Sequence, residues 1–272
     1  METRTKALRE VIVFLVLTAV LSTLAYLPII RAGSISGANS NLAVLLMLAP
    51  GLAALVTYLI FERSLRPVGW SPGPIQYLIL GLAIPVIYCL AAYGLVWLTG
   101  WGRYNGQIPS GFLVALATLL FSGTLSAALE EIGWRGLLVP KMMKLMGFTG
   151  TALISGLIWA VWHYPLILFS DVRPENSPVA FSLVCFTFFV VGLSFVAAWL
   201  RMKSGSMWTA ALLHGSHNAL MLHVFNLVTT DTGRTWLLLG EYGAVTAAAG
   251  LVLAVVFWSQ RGRLPARTYG GA

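Results

Sequence analysis

Three short stretches of this chain place ionisable residues inside apolar surroundings. Glu130, Glu131 and Arg135 close one apolar segment (LSAALEEIGWRG), His163 sits within a second (LIWAVWHYPLI), and His214, His217 and Asn218 sit within a third (AALLHGSHNAL). A carboxylate and an imidazole in a desolvated pocket can activate a water molecule, because burial brings both groups toward neutrality. Paired donors such as His and Asn can hold an oxyanion as a carbonyl becomes tetrahedral. Together they form the kit for hydrolysis without a covalent intermediate. The same residue types could instead hold zinc, for which Glu and His are ligands.

Helical phase sorts these groups. Glu131 and Arg135 are four apart, so they share a face and can pair. Glu130 points about 100° away from Glu131, and is the carboxylate left free for chemistry. His214 and Asn218 are also four apart and can present two donors to one point. His217, three from His214, could approach the same place, whereas His223 falls near the opposite face and reads as structural. Other intramembrane chemistries fit poorly. Asp171 and Asp231 are the only aspartates and both fall in connections, so no membrane aspartyl pair exists. HExxH and GxSG motifs are absent, and Ser194 lies in an apolar run as a packing residue.

The elements that position these residues must be membrane helices. Of 272 residues, 58% are hydrophobic and 10% charged, against about 25% charged in soluble domains. A span needs about 20 apolar residues, and eight segments qualify: 11–30, 42–61, 76–99, 111–133, 150–169, 178–200, 206–228 and 236–258. The expected fold is an all-α polytopic bundle with an intramembrane polar cavity. It forms one integral domain: N-terminal helices over 1–110, a catalytic core over 111–228, and a last helix with a basic tail over 229–272. The Met-rich basic stretch 137–147 (LLVPKMMKLMG) reads as an interfacial helix. Cys89 and Cys185 are isolated in apolar runs and read as packing residues.

The net charge of +8 does not indicate nucleic acid, because the basic residues sit in connections rather than on one amphipathic face. Alternate connections divide them unevenly. Arg4, Lys6, Arg9, Arg63, Arg66, Lys141, Lys144, Arg201, Lys203, Arg261, Arg263 and Arg267 fall on one side, and Arg31, Arg103, Arg173 and Arg234 on the other. The positive-inside rule then makes both termini cytoplasmic. The N-terminus lacks a small-residue cleavage site and reads as a first membrane helix. Helix rise places Glu130 and His214 up to ~16 Å, and His163 ~20 Å, from the basic ends of their spans. Charges at the centre of a membrane helix cost roughly 2.5–3.5 kcal/mol, so groups at matching depth are expected to face one another.

At these residues the chain resembles the CPBP family, the CAAX proteases and bacteriocin-processing (Abi) proteins, which includes Rce1-type prenyl-protein endopeptidases. The family pattern is EExxxR, FxxxH, then HxxxN or HxxxD. Here it reads Glu130-Glu131-Ile132-Gly133-Trp134-Arg135, Trp159 to His163, and His214 to Asn218, with Trp159 in place of the usual Phe. The resemblance implies an intramembrane glutamate-type peptidase. Glu130 would be the general base with His163 assisting, His214 and Asn218 the oxyanion hole, and Glu131 with Arg135 an orienting pair. His217 and Trp159 would support them. The family has often been called metalloprotease, but an oxyanion hole makes a metal unnecessary, and the expectation is no cofactor, with zinc the alternative. The expected partners are membrane lipid and a hydrophobic peptide or protein substrate. Thirteen Arg against four Lys in a compact chain suggest a prokaryotic cytoplasmic membrane. Two other classes fit the residues: a proton-coupled transporter using the same Glu and His groups, and a catalytically silent binding or immunity protein. Transporters usually carry internal repeats, and none is visible here.

Overall fold

The computed structural model describes residues 2–39 and 41–265. Apolar runs become helices because, in lipid, every backbone polar group must be satisfied within its own segment. In chain order the helices are α1 (Glu2–Ala32), the single turn α2 (Ile35–Ala38), α3 (Asn41–Phe61), α4 (Ile75–Leu98) and α5 (Phe112–Gly133). They continue with α6 (Val139–Leu145), α7 (Phe148–Phe169), α8 (Val179–Ser204), α9 (Trp208–His217) and α10 (Ala244–Ser259). Among the described residues seven helices are long and apolar enough to cross a membrane. The only sheet among those residues is a two-residue ladder, β1 (Arg103–Tyr104) against β2 (Thr229–Thr230), which ties two connections together. The all-α polytopic expectation therefore holds.

Three boundaries differ from expectation. The stretch 137–147 is no separate interfacial helix. α5 passes through a π-helical turn, Trp134–Leu138, into α6, making one run from Phe112 to Leu145. Leu137, Leu138, Val139, Lys141 and Met142 are buried. The Lys141 ammonium sits between Glu10 (2.6 Å) and Glu62 (2.6 Å), which removes its reason to lie at a lipid surface. The expected span 206–228 is not among the seven; it is α9 followed by a second π turn, Asn218–Phe225. The last helix starts at Ala244 rather than 236, because 235–243 folds back on itself. Gly240 is left-handed (φ 75°), and a side chain at Gly243 would sit 2.3 Å from the Leu238 backbone.

Pro140 explains how the α5–α6 run is held. It has no N–H, so the carbonyl one turn earlier, that of Gly136, loses its helical donor. The Gly136 carbonyl instead accepts from the Tyr58 hydroxyl at 2.8 Å, and the neighbouring Arg135 carbonyl, in the π turn, accepts from Arg201 Nε at 2.8 Å. Basic residues gather at this end of the bundle. Lys6 pairs with Glu62, Arg4 donates to the Leu145 carbonyl, and Lys203 to the Arg263 carbonyl. Arg267 of the basic tail lies outside the described residues. Cys89 and Cys185 are buried free thiols.

Candidate active site

Small residues set the helix crossings that carry the polar groups. A Cβ on Gly215 would lie 2.4 Å from the Thr124 nitrogen, so α5 and α9 touch backbone to backbone. On the other side of α5, Gly51 abuts the Leu129 carbonyl and Gly133 abuts Pro50. α5 is thus gripped by α3 and α9 on either side of Glu130 and Glu131, and its carboxylates face the same interior as His214.

Glu131 and Arg135 form the pair that their spacing predicts. Arg135 Nη1 lies 2.8 Å from Glu131 Oε1, with side-chain exposures of 1% and 0%. The same oxygen meets His214 Nδ1 at 3.1 Å. The Arg135 guanidinium also lies over the Trp159 ring, 4.3 Å from its centroid. Glu130 has a different environment. Its Oε2 accepts the indole N–H groups of Trp134 (3.3 Å) and Trp159 (3.2 Å), and its Oε1 has no hydrogen bond to a described residue.

Trp159 connects the histidines to this centre. Its carbonyl lies 2.9 Å from His163 Nδ1, and its ring meets that of His214 edge-on at 5.0 Å. The His163 ring is held between Trp162 (4.7 Å) and Phe186 (5.2 Å). A carbonyl only accepts, so His163 Nδ1 carries the hydrogen and Nε2 of the neutral ring is a free acceptor. Asn218 is half-buried, one turn from His214, and its side chain makes no hydrogen bond to a described residue. The structure thus brings Glu130, Glu131, Arg135, Trp159, His163 and His214 into one connected cluster.

Residues 111–220 match the family model for type II CAAX prenyl endopeptidases, Rce1-like. A curated relative, "CAAX prenyl protease 2" of Methanococcus maripaludis, is 24% identical over 103 residues, which is 36% of this chain. The match spans 38% of that relative's length. The matched segment contains every residue of the cluster.

His217 also lies in the matched segment but points elsewhere. Its Nδ1 meets the Tyr88 hydroxyl at 2.5 Å and its Nε2 meets Glu241 Oε1 at 3.0 Å. His223 is exposed. Sequence reasoning missed Trp134, Tyr88 and Glu241. Glu241 had a readable signal, since it is the one carboxylate in the apolar stretch 236–258. For metals, among the described residues no three His, Cys, Asp or Glu side chains converge as ligands. One oxygen of each carboxylate is taken, by two indoles at Glu130 and by a guanidinium and an imidazole at Glu131, while Glu130 Oε1 and Glu131 Oε2 have no hydrogen bond to a described residue.

Proposed function

We propose that this protein is an intramembrane endopeptidase that hydrolyses a peptide bond in a hydrophobic, membrane-associated or lipidated peptide, without a metal. The observation that carries this reading is the division of labour between adjacent carboxylates. Glu131 is committed to Arg135 and His214, while Glu130 has one oxygen fixed by two indoles and the other free.

In this reading Glu130 Oε1 and His163 Nε2 accept from one water. Glu130 takes its proton as the oxygen attacks the scissile carbonyl. The resulting oxyanion is held by Asn218 Nδ2 and His214 Nε2. Because His214 Nδ1 already donates to Glu131, Nε2 donates only when the ring is an imidazolium, and the Glu131 carboxylate supplies its counter-charge. Collapse of the intermediate breaks the C–N bond, and the proton held by Glu130 passes to the departing amine. Trp134 and Trp159 hold the base in place. The relative's name, a CAAX prenyl protease, makes a prenylated peptide one substrate to try. The bundle end that gathers the basic residues faces the cytoplasm of a prokaryotic cell, with both termini on that side.

The test compares membrane-peptide termini in cells expressing wild type or Glu130→Gln at matched folded levels. New termini with wild type alone support hydrolysis. Near-normal processing by Glu130→Gln removes the general base and with it this mechanism.

A further inference from the structure

At the end of the bundle opposite the basic residues, a cavity of about 400 Å³ opens beside the cluster. Tyr93, Arg173, Asp231, Trp236, Glu241 and Tyr242 line it. It shares a wall with the candidate active site. The Tyr242 ring stacks on Phe186 at 5.7 Å, and Phe186 meets His163 at 5.2 Å. Leu222, four residues beyond Asn218, lines the cavity too.

The charges on this wall are only partly matched within the protein. Glu241 bonds His217 through Oε1 and has a side-chain exposure of 23%. Asp231 Oδ1 takes the backbone N–H groups of Gly233 (2.8 Å) and Thr235 (3.0 Å), leaving Oδ2 without a hydrogen bond to a described residue. Arg173 spends Nη1 on the carbonyls of Ser177 (2.7 Å) and Pro174 (3.4 Å). Among the described residues, none of these three forms an ion pair with another. Burial works to raise both carboxyl pKa values, but the backbone donors at Asp231 and His217 at Glu241 outweigh it and hold both low. Two carboxylates and one guanidinium therefore line a cavity walled by aromatic rings. An apolar occupant would strip water from the carboxylates and return nothing. A cation would meet carboxylate oxygens and the negative faces of Tyr and Trp rings.

We propose that this cavity is a subsite for a basic side chain, Lys or Arg, on the substrate segment flanking the bond to be cut. This rests on the hydrolase reading above. It adds a selectivity: peptides with a positive flank on this side are preferred over neutral or acidic ones.

The test uses the full chain carrying Glu130→Gln in lipid nanodiscs, so that binding is read without turnover. The probes are photoreactive leucine/alanine membrane peptides that differ at one flanking residue: Lys, norleucine or Glu. The Lys peptide is expected to bind roughly tenfold tighter than the norleucine peptide and to cross-link within residues 231–242. Asp231→Asn keeps the Oδ1 acceptor that caps the loop but removes the charge, and is expected to cut the preference several-fold. Glu241→Gln should do the same, and size-exclusion profiles report whether each variant is folded. Equal binding of Lys and norleucine peptides overturns the proposal. So does preference for Glu, a Lys preference that survives both substitutions, or no cross-link to 231–242. Cleavage by the enzyme with Glu130 intact is scored separately, so a failed subsite and a failed hydrolase give different results.

Discussion

Neutralising Glu131 while leaving Arg135 in place should be the most damaging single change in the cluster. Arg135 is 1% exposed, and its Nε and Nη2 have no hydrogen-bond partner among the described residues. Its stability therefore depends on the 2.8 Å bond from Nη1 to the Glu131 carboxylate and on its contact with the Trp159 ring. Breaking a buried pair by removing one partner costs about 3–5 kcal/mol, against a total stability of about 5–15 kcal/mol. Glu131→Gln should lower the folding equilibrium constant by at least ~100-fold. Arg135→Met should cost less, about 1–3 kcal/mol, because Glu131 keeps His214, which can carry positive charge. The double variant removes both charges and sets an apolar side chain against Trp159, and it should be more stable than Glu131→Gln alone. It should also be inactive, since His214 has lost its counter-charge. Equilibrium unfolding of the three variants in mixed micelles gives the coupling directly. If the single penalties simply add in the double, within about 0.5 kcal/mol, the pair is not what holds the cluster.

Other changes test the scaffold. Gly215→Ala sets a methyl 2.4 Å from the Thr124 nitrogen, so α5 and α9 must part by roughly 1 Å to reach normal contact. A loss of about 1–3 kcal/mol or more follows, whereas Gly94→Ala, with open space around it, should be neutral or stabilising in the same unfolding assay. Tyr58→Phe leaves the buried Gly136 carbonyl without the hydroxyl that replaces its helical donor, and should cost about 1–3 kcal/mol by the same assay. Burial works to raise the Glu62 pKa, but hydrogen bonds from Lys141 and Lys6 outweigh it and bring it down to about 2. A carboxyl lowered on folding stabilises fully above its unfolded pKa, about 4.3, and loses that contribution as pH falls toward about 2. Stability measured from pH 7 downward should therefore drop below about pH 4.3, and Glu62→Gln should flatten that part of the curve.

What was legible in the sequence is what depends on local spacing. Four-residue spacing put Glu131 on Arg135, and phase separated Glu130 from that pair; both relations hold in the structure. The apolar runs gave the helices that carry these polar residues. What was not legible depends on partners far along the chain. A Met-rich basic stretch reads as interfacial because nothing near Lys141 can neutralise it; its carboxylates come from Glu10 and from Glu62, 79 residues away. The start of α10 was misplaced because hydropathy cannot see a left-handed Gly240.

The exchange of Phe for Trp at position 159 shows a further limit. By size and hydropathy it is conservative, since both side chains are large and aromatic. In the structure Trp159 does three things, two of which a phenyl ring shares. It stacks beneath Arg135 and packs against His214. The third is specific to the indole, whose N–H bonds Glu130 Oε2 at 3.2 Å. Trp134, inside the EExxxR motif, donates to the same oxygen. Two donors on one oxygen fix the rotation of the carboxylate and leave Oε1 as its open face. Trp159→Phe should therefore keep the fold, since the ring contacts survive. Turnover of any substrate the wild type cuts should fall, by less than the 10²–10⁴-fold that general-base catalysis supplies in full, because Trp134 alone remains to hold the base. If Trp159→Phe cuts at the wild-type rate, a fixed carboxylate orientation is not what makes Glu130 the working base.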